Sequence, residues 1–243
     1  MSDGVSISCT VYLDVIRQSL IDTLSDKMLP RVMMNGTLMK ITYFFDGASG
    51  MRVISIPVYR ASNNQQICFE ITPTMQGFIK RCKSFDKMTF NIKNGALSLL
   101  VQSACCALRY DFPIINIVDD TSIDHTQEDT VIEIPTNDWL EIWKTIPDEN
   151  DDSNVIISHK KGEKAITLKH SKSSWAAVIQ IQQNTQSLSF AISFICPVSA
   201  AKLSFANCIS KDTTSFLHFL KNTVLCWSSS GISVYLAPYI AEK

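Results

Sequence analysis

The sequence lacks the motifs that mark the common enzyme classes. It contains no Gly-x-Ser-x-Gly elbow, no Walker loop and no Gly-x-Gly-x-x-Gly turn, and only 8 of its 243 residues are glycine. The 4 histidines have no cysteine or carboxylate at metal-ligand spacing: they are His125, His159, His170 and His218. We therefore predict no catalytic residue, no metal site and no cofactor.

Paired cysteines and long apolar runs are also missing. None of the 8 cysteines forms a Cys-x-x-Cys pair, and most lie in apolar stretches: Cys9, Cys68, Cys82, Cys105, Cys106, Cys196, Cys208 and Cys226. With no secretory leader in view, this pattern favours buried free thiols in a reducing, intracellular compartment. No run approaches the ~18 apolar residues that a membrane-spanning helix requires, so we predict no membrane partner.

Charge of either sign is not in excess. Lys and Arg number 22, Asp and Glu 23, and the formal net charge is −1. A surface of this kind does not attract nucleic acid or membranes as a whole. Any electrostatic function must therefore come from cations gathered on one face.

An acidic, hydroxyl-rich stretch without periodicity lies in the middle of the chain, at Ile117–Thr130. Its composition is typical of a solvated connector. It predicts an N-terminal domain at residues 1–116, a linker at residues 117–130 and a C-terminal domain at residues 131–243. At 46% apolar content, each half can build a modest core.

Both halves predict the same order of elements, namely a strand, an amphipathic helix, hairpins, a second helix and closing strands. Thr72-Pro73 is typical of a helix start, and Asn94-Gly95 of a tight hairpin turn. The predicted helices are Tyr12–Met28, Pro73–Phe85, Pro135–Ile146 and one starting at Pro197. The fold class is therefore α+β, with two similar domains that each pack two helices on antiparallel sheets.

The tail carries the sharpest local match to a known family. Val234-Tyr235-Leu236-Ala237-Pro238-Tyr239-Ile240 resembles the closing strand and Leu-Ala-Pro-x-Ile tail of DNA sliding clamps of the proliferating-cell nuclear antigen type. The element order and the crossing linker agree with that family, whereas residue identity is low, as in a divergent member. The resemblance implies a ring, usually of three subunits, that encircles duplex DNA and tethers a polymerase.

The resemblance also implies which residues face DNA. Lys80 and Lys144 match positions where the family commonly has basic residues on its inner helices, and helical phase adds Arg17, Lys83 and Lys202. A ring that slides needs diffuse positive charge toward phosphates rather than contacts that read bases. The alternative is that these are ordinary solvated helix faces. Acidic residues share the polar faces of the first and third helices and weaken the positive charge there: Asp14, Asp22, Asp138 and Glu141.

A second implied site binds short peptides from partner proteins. In the family such a peptide fills an apolar pocket beneath the linker, and the residues that match it here are Phe45, Met51, Ile123, Tyr235, Ala237, Pro238 and Ile240. Ile123 is an apolar residue within an acidic connector, so either a partner groove or simple anchoring of the linker explains it.

Subunit contacts would come from pairing between edge strands. The matching edges are one near Ala107–Phe112 and one near Ser174–Ile181, which give the candidate interface residues Ala107, Leu108, Arg109, Tyr110, Trp175, Ala177 and Ile179. Lys160 precedes the hairpin turn at Gly162, where eukaryotic members carry a modifiable lysine, but lysines are common in such turns.

The resemblance thus predicts a non-enzymatic processivity factor and docking platform, with duplex DNA, DNA polymerase, other peptide-bearing proteins and a clamp loader as partners. The setting would be a nucleus or a viral replication compartment. Within the same fold, the alternatives are a checkpoint-type subunit of a heterotrimer and a dimeric or monomeric clamp-like factor. An enzyme with an unrecognised site, for example at the carboxylates of Asp148–Asp152, is the alternative from another class.

Overall fold

The computed structural model describes residues 6–20, 29–45, 49–62, 65–103, 105–112, 128–147, 153–181, 191–206, 208–220 and 224–238. The chain forms two compact units. The first comprises Met1–Tyr43 and Val53–Ser122, and the second comprises Phe44–Arg52 and Ile123–Lys243. A short segment from early in the chain therefore groups with the C-terminal part.

The N-terminal part of the chain follows the predicted order of elements. These are β1 (Ser6–Tyr12), α1 (Leu13–Ser19), β2 (Arg31–Met34), β3 (Leu38–Phe45), β4 (Gly50–Pro57), β5 (Arg60–Ala61), β6 (Ile67–Glu70), α2 (Pro73–Arg81), β7 (Lys87–Lys93), β8 (Ala96–Gln102) and β9 (Ala107–Phe112). One antiparallel sheet has the order β5-β1-β7-β8-β9, and in the other β2 lies between β3 and β6. Burial alternates along β7 and β8, as expected for strands with one face on a core.

The C-terminal part repeats this plan. Its elements are β10 (Glu128–Pro135), α3 (Thr136–Thr145), β11 (Asn154–His159), β12 (Ala165–His170), β13 (Ala176–Gln180), β14 (Ile192–Pro197), α4 (Val198–Phe205), β15 (Thr214–Leu220), β16 (Val224–Ser229) and β17 (Ile232–Leu236). One sheet has the order β13-β12-β11-β14, and the other runs β10-β15-β16-β17.

The pairing of strands is equivalent in the two parts. β1 pairs with β7 as β10 pairs with β15, and β7-β8-β9 corresponds to β15-β16-β17. Likewise β2 lies between β3 and β6 as β11 lies between β12 and β14. The predicted α+β class with two similar domains is therefore confirmed at the level of topology.

Local sequence signals explain several element boundaries. Thr72 caps α2, because its hydroxyl oxygen accepts the backbone N–H of Met75 at 3.3 Å, and Pro73 opens the helix. Asn94 and Gly95 have φ values of 52° and 77°, as a two-residue hairpin turn between β7 and β8 requires. Both predictions are confirmed.

Other boundaries differ from the predictions. The predicted first helix ends at Ser19 rather than Met28, because Leu20 adopts an extended backbone with ψ of 114°; residues 21–28 lie outside the described part. α2 ends at Arg81, so Lys83 follows the helix instead of lying on it. Residues 117–127 of the predicted linker also lie outside the described part, and β10 starts at Glu128 rather than Val131. The domain boundaries stay a prediction.

Candidate functional site

In each unit the two helices contact each other, and each helix pair carries basic side chains. In the first unit Arg17 lies on α1 and Lys80 on α2, and both side chains are half-buried. Lys83 is exposed, one residue beyond the C-cap of α2. Arg81, in the last turn of α2, is also exposed and was not singled out from the sequence.

In the second unit, the structure brings two predicted cations to one groove. Lys144 on α3 and Lys202 on α4 both line a cavity of about 620 Å³. The Lys202 ammonium donates to the carbonyl oxygen of Ile146 at 3.0 Å, so it also satisfies the C-terminal end of α3. We call this cavity the α3–α4 groove.

Acidic neighbours partly neutralise the cations on α1 and α3, as the sequence predicts. Arg17 pairs with Asp14, and the Lys144 ammonium lies 2.8 Å from a carboxylate oxygen of Glu141. The Lys144 pair is exposed on both sides, at 68% and 65% of the side-chain surface. Exposed pairs of this kind contribute about 0–1 kcal/mol, so Lys144 can exchange its partner for a ligand anion at little cost.

A buried arginine that the sequence analysis did not single out fixes the end of α4. Arg52 is 3% exposed, and its guanidinium donates to the carbonyl oxygens of Leu203 at 3.2 Å, Ala206 at 2.6 Å and Ser204 at 2.7 Å. These are the carbonyls that a helix leaves unpaired at its C-terminus. A cation there also interacts favourably with the negative end of the helix dipole. Arg52 therefore holds the backbone beside the α3–α4 groove.

Gly50 permits this arrangement. A Cβ at this position would collide with the Ser204 side chain and would lie 2.9 Å from the carbonyl oxygen of Ala200. Only a residue without a side chain lets β4 approach α4 so closely. Gly50 and Arg52 therefore act together on one helix.

The residues predicted to bind partner peptides are partly brought together. The backbone N–H of Ala237 donates to the carbonyl oxygen of Ser49 at 2.9 Å, so the tail lies against the segment that follows β3. Phe45, Ala237 and Pro238 are half-buried, whereas Met51 and Tyr235 are 7% and 5% exposed and therefore offer little surface to a peptide. Ile123 and Ile240 lie outside the described residues.

The two predicted interface strands are edges of their sheets, but their side chains differ. On β9 the predicted residues Ala107, Leu108, Arg109 and Tyr110 are all exposed. On β13 Ile179 is 2% exposed, and Trp175 and Ala177 pack against the same core. Val178, at 61% exposure, points outward instead. Pairing at β13 would therefore use its backbone and Val178 rather than the predicted side chains.

Four of the thiols, those of Cys9, Cys82, Cys196 and Cys208, offer little nucleophilic character. Burial raises the pKa of Cys196 to about 12, and it also raises the pKa of Cys9, Cys82 and Cys208. These thiols stay protonated at neutral pH. Cys105 and Cys106 are exposed, contrary to the expectation of buried thiols, because they lie in the turn between β8 and β9.

The described residues also bear on metal binding and on membrane insertion. Within the described ranges, no group of three or more His, Cys, Asp or Glu side chains could hold a metal ion. Among the helices that the structure describes, none has the length and apolarity to cross a membrane. The acidic run Asp148–Asp152 lies outside the described residues.

Comparison with known proteins identifies the fold. No protein-family model and no curated protein sequence matches this chain. Among solved structures, it is similar to the crystal structure of proliferating cellular nuclear antigen from Entamoeba histolytica, with a TM-score of 0.67 and 14% sequence identity. The match covers 96% of this chain and 99% of that chain. This protein therefore has the α+β fold of a proliferating-cell-nuclear-antigen-type clamp, built from a sequence that shares few residues with it.

Proposed function

We propose that this protein is a DNA sliding clamp. Three copies would form a ring around duplex DNA, hold a DNA polymerase on its template and dock further replication and repair proteins through short peptides. A clamp loader would open the ring. The protein would act without catalysing a reaction itself, in a nucleus or a viral replication compartment.

The observation that carries this proposal is the whole-chain likeness to a clamp, combined with cations on all four described helices. The likeness covers 96% of the chain, and Arg17, Lys80, Lys144 and Lys202 lie on α1, α2, α3 and α4 respectively. A topological link to DNA needs no tight binding. A few cations facing phosphates, without base contacts, let a ring slide.

Two further observations agree with a ring that docks partners. The edges of β9 and β13 offer unpaired backbone groups for strand addition between copies. The contact between Ala237 and Ser49 places the tail against an early loop, where a partner peptide would bind. Ile123 and Ile240, which lie outside the described residues, would complete the proposed pocket.

The test is a measurement of mass followed by a measurement of processivity. Light scattering on the purified protein should give three times 27.2 kDa. A mass of one or two times that value would replace the homotrimer by a monomeric, dimeric or heterotrimeric clamp-like factor.

Lys80→Glu combined with Lys144→Glu should then shorten primer-extension products severalfold at moderate salt, while the mass stays unchanged, because each substitution turns attraction to phosphates into repulsion. Lys161→Glu, in the exposed turn between β11 and β12, changes the charge in the same way and serves as the control. Equal products from both variants would show that Lys80 and Lys144 do not face DNA.

A further inference from the structure

The α3–α4 groove combines an apolar wall with positive charge. Leu203 and Ile209 line it and are 47% and 79% exposed, which is unusual for large aliphatic side chains. Of the described residues that line it, only Lys144 and Lys202 are charged, and both are cations. Exposed aliphatic side chains beside two cations suit a ligand that carries both apolar and anionic groups.

The floor of the groove is rigid. The rings of Trp143 and Phe205, which both line it, stack in parallel with centroids 4.9 Å apart and an interplanar angle of 8°. Arg52 holds the backbone at Leu203 and Ala206, which also belong to the lining. A surface that is already ordered loses little conformational entropy when a ligand binds.

Duplex DNA does not match this chemistry. Its outer surface presents phosphates, which need cations and water, whereas the exposed side chains of Leu203 and Ile209 gain only from burial against apolar groups. A peptide with carboxylates beside bulky apolar side chains meets both requirements. The volume of about 620 Å³ accommodates two or three side chains.

We propose that the α3–α4 groove binds a short acidic peptide segment of a partner protein. Apolar side chains of the peptide lie on the Trp143–Phe205 floor, between Leu203 and Ile209. Its carboxylates accept hydrogen bonds from the ammonium groups of Lys144 and Lys202, which also bind Glu141 and the Ile146 carbonyl respectively. Lys144 and Lys202 thereby serve a second ligand besides the DNA of the proposed clamp, and the two compete.

The experiment measures fluorescence anisotropy of a labelled peptide that alternates aspartate and leucine, added to the full-length protein without DNA. Two matched peptides are controls: one carries lysine in place of aspartate, and the other serine in place of leucine. The wild-type protein should bind the first peptide at least about tenfold more tightly than the serine control, since one buried leucine contributes roughly that factor. It should also bind the lysine control more weakly than the first peptide, because Lys144 and Lys202 repel its cations.

Leu203→Ser and Ile209→Ser should each weaken binding of the acidic peptide about tenfold, because both remove apolar surface without changing the charge. Ile195→Ser is the matched control, since Ile195 is a 38% exposed isoleucine on β14 in the same unit and does not line the groove. Circular dichroism verifies that each variant is folded, and the exposure of both groove residues makes this the expected result.

Five outcomes would overturn the proposal. Four of them are equal affinity for all three peptides, unchanged affinity in both serine variants, displacement of the peptide by laurate at lower concentration than by unlabelled peptide, and a fall in oligomer mass on Ile209→Ser. Displacement by laurate would assign the groove to a lipid, and the fall in oligomer mass would assign it to a second copy of this chain. Affinity for duplex DNA that falls with Ile209→Ser as much as peptide affinity does would assign the wall to DNA. The peptide measurement needs neither a ring nor a polymerase, so it stands if the clamp proposal fails.

Discussion

The two units share a topology but fill it with different side chains. All 4 tryptophans lie at or after Trp139, whereas all 8 methionines lie at or before Met88. In the second unit Trp139, Trp143, Phe205 and Trp227 form one set of ring contacts with centroids 4.9–5.8 Å apart. The N-terminal part instead buries flexible thioethers, among them Met34, Met39, Met75 and Met88.

This difference explains why the repeat is visible in the pairing of strands but not in the sequence. A core requires apolar volume at positions of the right period, and many side chains supply it. Rigid aromatic rings set specific contact angles, whereas methionine adapts to the space that is left. Two copies of one topology can therefore lose residue identity and keep their strand order.

The largest expected effect comes from the aromatic set. Trp139→Ala should lower the free energy of unfolding of the second unit by about 3–5 kcal/mol, because Trp139 is fully buried and its removal leaves a cavity. Urea unfolding followed by tryptophan fluorescence measures this directly, since every tryptophan belongs to the second unit. Trp175→Ala is the control: Trp175 is only partly buried, and a loss as large as that of Trp139→Ala would contradict the assignment of Trp139 to the centre of the core.

A smaller effect is expected at the end of α4, where Arg52 donates to three backbone carbonyl oxygens. Arg52→Met keeps an unbranched aliphatic side chain but removes the guanidinium that donates to the carbonyl oxygens of Leu203, Ser204 and Ala206. We expect a loss of about 1–3 kcal/mol in the free energy of unfolding of the second unit. Arg31→Met, at a half-exposed arginine 3.9 Å from Glu70 in the first unit, should cost less than Arg52→Met. Reversal of that order would mean that the guanidinium of Arg52 does not stabilise α4.

The smallest expected effect is a change in the pKa of one exposed carboxylate, and an exposed carboxylate of the other unit serves as the comparison. Hydrogen bonds from Ser98 and then Arg109 lower the pKa of Asp111, whereas those from Ser230 and then Ser229 lower the pKa of Asp212. A depressed pKa in the folded state means that the stabilisation is present above the unfolded value of about 3.9 and is lost as the pH falls through the folded value. Ser98→Ala should raise the pKa of Asp111 toward its ordinary range and leave Asp212 unchanged in a carbon-detected NMR titration. An unchanged Asp111 would show that Ser98 is not its main donor.

The sequence predicted most of the fold because its signals were local. Thr72-Pro73, Asn94-Gly95 and the alternation along β11 and β12 act within a few residues, and each appears where it was expected. Helix length was less predictable. The apolar period continued past Ser19, although the backbone turns extended at Leu20. Periodicity reports which face is buried but not where hydrogen bonding stops.

The candidate site was predicted only in part, because its remaining features depend on contacts between distant residues. Lys144 was predicted from the family resemblance and Lys202 from helical phase, but nothing local shows that they share a groove with Leu203 and Ile209. Arg52 lies within an apolar strand sequence, and its partners are about 150 residues away. An arginine in an apolar strand sequence indicates that a buried hydrogen-bond acceptor lies nearby, but the sequence does not identify that acceptor.

The contact of Gly50 and Arg52 with α4 has a consequence for how this chain could be divided. A break at the central connector would yield a C-terminal fragment whose α4 lacks the guanidinium that terminates it and the glycine against which it packs. Gene fission at that point would therefore produce pieces that regain the native arrangement only by fragment complementation.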